Sequence, residues 1–151
     1  MDEIDRAILS VLQEDGRAPF TQIAKRVGIS EAAVRARYKN LVEQGVVRTV
    51  SIVDPYALDF QAPALIAIAV DSGRAEEVAQ AIAELPETAY LVLTLGSHDL
   101  LAEVYCRDLQ HLTDLVMRRI QTIPGVRSTE TLMEAKVYKL SYRWSPTAES
   151  M

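Results

Sequence analysis

The stretch whose reading decides the fold is residues 21–47, TQIAKRVGISEAAVRARYKNLVEQGVV. It divides at Gly28 into two short amphipathic segments. Thr21 is placed to cap the first, which carries Ile23, Ala24 and Val27 inward. Gly28 can take the left-handed conformation that ends it, Ile29 packs in the turn, and Ser30 caps the second segment. Indexed at about 100° per residue, Val34, Tyr38, Leu41 and Val42 form the inner face of that second segment, and Gly45 stops it. Ala32, Ala36, Lys39 and Asn40 fall opposite, with Arg35 and Arg37 flanking the apolar stripe. Two helices joined by a tight turn are the pattern of a helix-turn-helix, whose second helix lies in the DNA major groove. Small alanines on the outer face permit close approach, and long basic side chains at its edges reach phosphates or guanines.

The flanking sequence fits this reading. Residues 2–15 place Ile4, Ile8, Val11 and Leu12 on one helical face, with Asp2, Glu3 and Asp5 in the first turn, where they complement the helix dipole. Residues 46–53 (VVRTVSIV) alternate as a short strand or wing beside the DNA would. From Arg17 to Arg48 there are seven basic and two acidic residues, a net +5. Residues 51–151 hold eight basic and fourteen acidic residues, a net −6, within a chain of net charge −5. A basic segment on an acidic body suits local phosphate contact rather than a uniformly basic nucleic-acid coat.

Beyond residues 54–63 (DPYALDFQAP), a linker with prolines near both ends, the pattern changes. Residues 64–70 read as a strand, 74–84 as a helix with Val78, Ala81 and Ile82 inward, and 88–95 as a strand. A turn at 96–99 (GSHD) leads to a strand at 100–106. Residues 108–121 read as a helix with Leu109, Leu112, Leu115, Val116 and Ile120 inward, and 126–140 as a last strand. The order β-α-β-β-α-β is the ferredoxin-like split βαβ arrangement. The chain is therefore expected to be α+β, an N-terminal winged helix-turn-helix followed by a ferredoxin-like βαββαβ domain. The expected boundaries are 1–53 for the DNA-binding domain, 54–63 for the linker, 64–144 for the second domain and 145–151 for a tail. Two helices on one face of a four-stranded sheet leave an apolar face that needs a partner, and a second copy of the chain is the simplest one.

The remaining bulk properties narrow the classes. Cys106 is the single cysteine, which excludes an intrachain disulfide framework and a multi-cysteine zinc site, and its apolar run marks it as a buried structural residue. No secretory signal opens the chain and no apolar stretch approaches the roughly 20 residues that span a bilayer, so a cytoplasmic location without a membrane partner is expected. His98 and His111 have no ligand-type residue at metal spacing, so no metal is expected. With no phosphate loop or nucleophile elbow, no cofactor and no enzyme activity are expected either.

At this point the chain resembles the Lrp/AsnC (feast/famine) transcription regulators over nearly its whole length. DEIDRAILSVLQEDGR (2–17) is similar to the family's first helix, and residues 23–47 to its helix-turn-helix with the closing Gly-Val-Val. Gly96-Ser97-His98-Asp99 and Pro124-Gly125-Val126 are similar to its effector domain. The resemblance implies a homodimer formed through the sheets and often assembled to an octamer. It also implies palindromic promoter sites in double-stranded DNA and an amino acid or related metabolite as small-molecule effector. Glu31-Ala32, where many members have a proline after the capping serine, and Arg37-Tyr38, where many have Arg-Val, depart from the common pattern. The operator sequence does not carry over.

Ser30, Ala32, Ala33, Arg35, Ala36, Arg37 and Lys39 are the expected DNA contacts, with Thr21, Gln22 and Lys25 touching the backbone from the preceding helix. The competing reading is a solvated helix face with Arg37 paired to Glu31 or Glu43. Gly96, Ser97, His98 and Asp99 are the effector candidates: a glycine lets a ligand approach closely, and an exposed Asp can hold an amino group. A plain hairpin turn accounts for the same residues. The resemblance adds Thr129 and Thr131, two apart on the last strand. The alternative function is an enzyme resembling sirohaem decarboxylases on the same scaffold, with His98 or His111 serving a tetrapyrrole.

Overall fold

Asp2 begins the first helix by capping it: its carboxylate accepts the Asp5 N–H, while the Asp5 carboxylate accepts the Asp2 N–H. The computed structural model describes residues 1–141, so Trp144, the expected end of the second domain, and the expected tail at 145–151 lie outside the described residues. Two compact units are present: Met1–Ile52 together with the described residues from Lys139, and Val53–Tyr138. The first holds α1 (Glu3–Glu14), α2 (Phe20–Val27) and α3 (Glu31–Glu43). Ile8, Val11, Ala18, Ile23, Ala24 and Val34 make its buried core, with Phe20, Val27 and Ile29 packed against them.

Gly28 ends α2 at φ 78°, ψ 30°, the left-handed conformation that an L side chain enters only with strain. Ser30 caps α3, its Oγ accepting the Ala33 N–H at 3.1 Å. Thr21 is not a cap: Pro19 occupies that position, without a side-chain bond, and α2 starts at Phe20. The fixed φ of proline presets the entry to the helix, and Phe20 is drawn in to pack beside Tyr38 at 5.3 Å between ring centroids. On α3, Val34 and Leu41 are buried and Tyr38 half-buried, but Val42 is exposed. Residues 46–53 form no strand. Among the described residues the first unit holds no strand for them to pair with, and Val50, Ile52 and Val53 are left exposed. A hydrogen bond of 2.9 Å between the Tyr38 and Thr49 hydroxyls fixes the segment to α3.

The second unit opens with a 3-10 turn at Pro55–Leu58 and then builds β1 (Ala62–Val70), α4 (Ala75–Ala83), β2 (Thr88–Leu93), β3 (Leu100–Cys106), α5 (Leu109–Asp114) and β4 (Val126–Met133). The strand order is β2-β3-β1-β4, antiparallel throughout, which is the ferredoxin-like arrangement. Alternate residues of the central strands (Ala64, Ile66, Ile68, Leu100, Ala102, Val104) face the helices and join Val78, Ile82, Leu112, Leu115 and Ile120 in one core. Cys106 closes that core, and burial pushes its thiol up to about 11.

Three expectations are corrected here. α5 continues as a π-helical segment, Leu115–Ile120, so the 3.6-residue period fails halfway along the predicted helix. Leu109, expected inward, is exposed because it is the first residue after the Asp108 cap. The last strand ends at Met133 rather than 140. Its ladder runs along β1, and the Glu134 N–H makes a last bond to the Pro63 carbonyl. Pro63 has no N–H with which to return one. No helix among the described residues is long and apolar enough to cross a membrane.

Candidate DNA interface and effector site

The outward side of α3 is one exposed surface, a shallow concavity lined by Glu31, Ala32, Arg35, Ala36 and Lys39. Two alanines one turn apart form its floor and two cations its edge. The Arg35 guanidinium lies 5.1 Å over the Phe20 ring and donates to Glu31 at 2.9 Å, with its side chain 65% exposed. Lys39 Nζ stands 3.7 Å from Glu43, 76% exposed. Such i,i+4 surface pairs contribute about 0.3–0.5 kcal/mol, so both cations are available to phosphates at little cost. Thr21, Gln22 and Lys25 are exposed on α2, and Ala33 is half-buried, its N–H held by Ser30. Arg37 is not on this surface. It turns back to α1, donating to Asp2 at 2.7 Å and to Asp5 at 2.8 Å rather than pairing with Glu31 or Glu43.

The second candidate is the β2–β3 connection. Thr94, Gly96, Ser97 and His98 join Ala67, Leu100 and Leu101 around a hollow of about 200 Å³. The turn is bolted to the end of β1. The Asp99 N–H donates to the Ile68 carbonyl at 2.9 Å, and the Asp99 carboxylate accepts the Val70 N–H at 2.8 Å. Thr94 closes it from the other side, its hydroxyl donating to the His98 carbonyl at 2.7 Å. Asp99 is therefore half-buried and has one oxygen spent on the backbone, where an exposed carboxylate was expected. Gly96 has no left-handed φ, and a Cβ built on it meets nothing within 4 Å. Neither the turn nor the packing of this chain requires a glycine there.

Thr129 and Thr131 do not join this hollow. In register Thr129 sits opposite Ile68 and Thr131 opposite Ile66, so both lie on the helix-covered face, and Thr129 accepts from Gln121 at 2.8 Å. Between them Glu130 pairs with Ala67 and faces the other way, with its carboxylate 3.6 Å from His98 Nε2. Glu130 is the residue that the sequence reading passed over. The period of two along a strand was the available signal. His111 is held by Glu87 at 3.1 Å and by the Arg107 N–H at 3.3 Å. Among the described residues no three His, Cys, Asp or Glu side chains converge to hold a metal.

A helix-turn-helix with an exposed basic edge, followed by a four-stranded sheet with a hollow beside its central turn, defines a DNA-binding regulator with a ligand-binding domain. Residues 1–42 match the AsnC-type helix-turn-helix domain and residues 63–144 the Lrp/AsnC ligand binding domain. The chain belongs to the Lrp/AsnC family of transcription regulators. It is 38% identical over 143 residues to an uncharacterized HTH-type transcriptional regulator of Pyrococcus abyssi, covering 94% of this chain and 90% of that one. It is similar to the structure of E. coli AsnC, with TM-score 0.82, 26% identity, and 93% and 95% of the two chains covered. It is also similar to the transcriptional regulator NMB0573/L-Met complex of Neisseria meningitidis, with TM-score 0.83, 25% identity and 94% of each chain covered. The relatives are transcription regulators and not enzymes, which sets aside the sirohaem-decarboxylase reading.

Proposed function

We propose that the chain is a sequence-specific regulator that binds palindromic promoter sites as a homodimer and responds to an amino acid held at the β2–β3 turn. The observation that carries the DNA part is the α3 surface, with Ala32 and Ala36 as floor and Arg35 and Lys39 as edge. One such helix makes too few contacts for tight, specific binding. The uncovered sheet face supplies the second. Leu65, Leu101, Tyr90 and Leu132 lie on the side away from the helices, and Tyr90 and Leu132 are exposed. A second copy packed there pairs the recognition helices about one DNA turn apart, and dimers of this kind assemble further into octamers. The protein acts in the cytoplasm, where its DNA is.

Three observations support an amino-acid effector. One is the similarity to a regulator bound to L-Met. Another is the hollow at Thr94–His98, and a third is Gly96, whose open front nothing in this chain explains. The His98–Glu130 pair stands at the same place with complementary polarity. Occupation of this turn shifts the spacing of the two recognition helices by favouring one assembly over another.

Two assays test the reading. Mobility shift on the DNA upstream of the chain's own gene gives salt-sensitive, site-preferring binding that one amino acid of a panel alters. Absence of site preference under every condition contradicts the proposal. In thermal melts, the effector at about 100 times its Kd stabilises the chain by about 2.7 kcal/mol. Gly96→Val fills the open space, keeps the ligand-free midpoint and loses the rise. A variant that responds like the parent places the effector elsewhere.

A further inference from the structure

Three long cations stand within five positions on α3, and they do different work. Arg35 and Lys39 are 65% and 76% exposed on the outer surface. Arg37 is 33% exposed, and its Nη1 donates to Asp2 Oδ2 at 2.7 Å and to Asp5 Oδ1 at 2.8 Å. Asp5 is 14% exposed, the most sheltered of the three. These two carboxylates already exchange backbone hydrogen bonds as the capping box of α1, each 2.9 Å long. One guanidinium nitrogen thus closes a four-bond cluster that joins the middle of the recognition helix to the first turn of α1. The Asp5 N–H first, and Arg37 second, hold the Asp2 carboxyl below the usual carboxylate range.

We propose that Arg37 is a positioning residue, which sets the pose in which α3 meets DNA by fastening it to the capping box of α1, and does not itself touch DNA. One guanidinium nitrogen carries two N–H donors, enough to bridge the two carboxylates at once, and both contacts are charge-assisted. Asp2 and Asp5 have the complementary part. Each both starts α1 and grips α3, so the chain's first residues belong to the recognition machinery.

The inference rests on α3 being the DNA-reading helix, which the Arg35→Ala/Lys39→Ala variant tests independently; if that variant binds DNA like the parent, the reading of α3 fails whatever Arg37 does. The experiment uses the full chain, a duplex selected by the parent from a random pool, and a scrambled duplex of the same composition. Arg37→Gln and Asp5→Asn, each confirmed folded by circular dichroism, weaken binding to the selected duplex by roughly tenfold. Both narrow the ratio of selected to scrambled binding, the double variant is no worse than the weaker-binding single, and the salt slope stays that of the parent.

Two results overturn the proposal. If Arg37 contacts phosphate, Arg37→Gln lowers the salt slope by about 0.9 for each lost contact, and freeing the arginine by Asp5→Asn strengthens binding. If Arg37 serves stability alone, both variants melt lower yet bind like the parent once folded. Should Arg37→Gln fail to fold, Asp5→Asn decides the matter by the direction of its effect on the selected duplex.

Discussion

Replacing Arg35 and Lys39 together with alanine abolishes site-specific binding at moderate salt and leaves the fold intact. The proposed dimer loses four cations from its two recognition surfaces. If all four meet phosphates, the slope of log K against log salt falls by about 3.6, at about 0.9 per contact. If Arg35 instead reads a guanine, each half-site loses about 1–3 kcal/mol, and a palindrome loses about twice that. The fold loses only surface contacts. Both side chains are mostly exposed, and their partners Glu31 and Glu43 are carboxylates on the same helix. The stacking of Arg35 on Phe20 contributes about 0.5–1 kcal/mol at such a site. Fluorescence anisotropy over a salt series reads the slope and the affinity together. A double variant with the parent's slope removes α3 as the DNA-contacting helix.

Leu132→Asp splits the proposed dimer and thereby lowers DNA affinity. Leu132 lies on β4, opposite Leu65 in register and on the face away from the helices. It is 49% exposed and takes no part in the buried core, so a carboxylate there is tolerated by a single copy. Between two packed sheets the same carboxylate is desolvated without a counter-charge, at a cost of several kcal/mol per ion. Losing the second recognition helix forfeits the effective-concentration gain of a linked pair, roughly 10²- to 10⁴-fold. Sedimentation velocity follows the mass and anisotropy the affinity. A variant that remains dimeric places the interface on another surface, while a monomer with undiminished affinity contradicts the need for paired helices.

Much of this architecture was legible because local chemistry and the global fold agree. Ser30 and Gly28 mark the turn of the helix-turn-helix through a hydroxyl cap and a left-handed glycine, and the structure uses both. The β-α-β-β-α-β order followed from apolar periodicity and from proline and glycine at the junctions. What escaped the sequence depended on partners far along the chain. Arg37 was read as flanking the apolar stripe and reaching DNA, but its acceptors lie 35 and 32 residues away at the start of α1. Helical indexing gives a direction and never a partner. Thr129 and Thr131 were correctly given a common face, but which face that is depends on their register with β1. The end of β4 was hidden for the same reason, since Pro63 matters only once it is known to stand beside Glu134. At α5 a different physics intervened, with a π-helical segment changing the period within one continuous apolar pattern.

Site-directed cleavage from the recognition helix tests the central claim most directly. Cys106 is fully buried, with its thiol pushed up to about 11, so Ala36→Cys offers a far more reactive thiol on the α3 surface for an iron chelate. Bound to a selected duplex, this chelate is predicted to cut in two clusters related by the site's symmetry, their centres about one helical turn, roughly 10 base pairs, apart or a multiple of it. The parent chain, whose one cysteine is buried, serves as the control and leaves no localised pattern. Diffuse cleavage from position 36 would contradict the assignment of α3 as the helix that reads DNA.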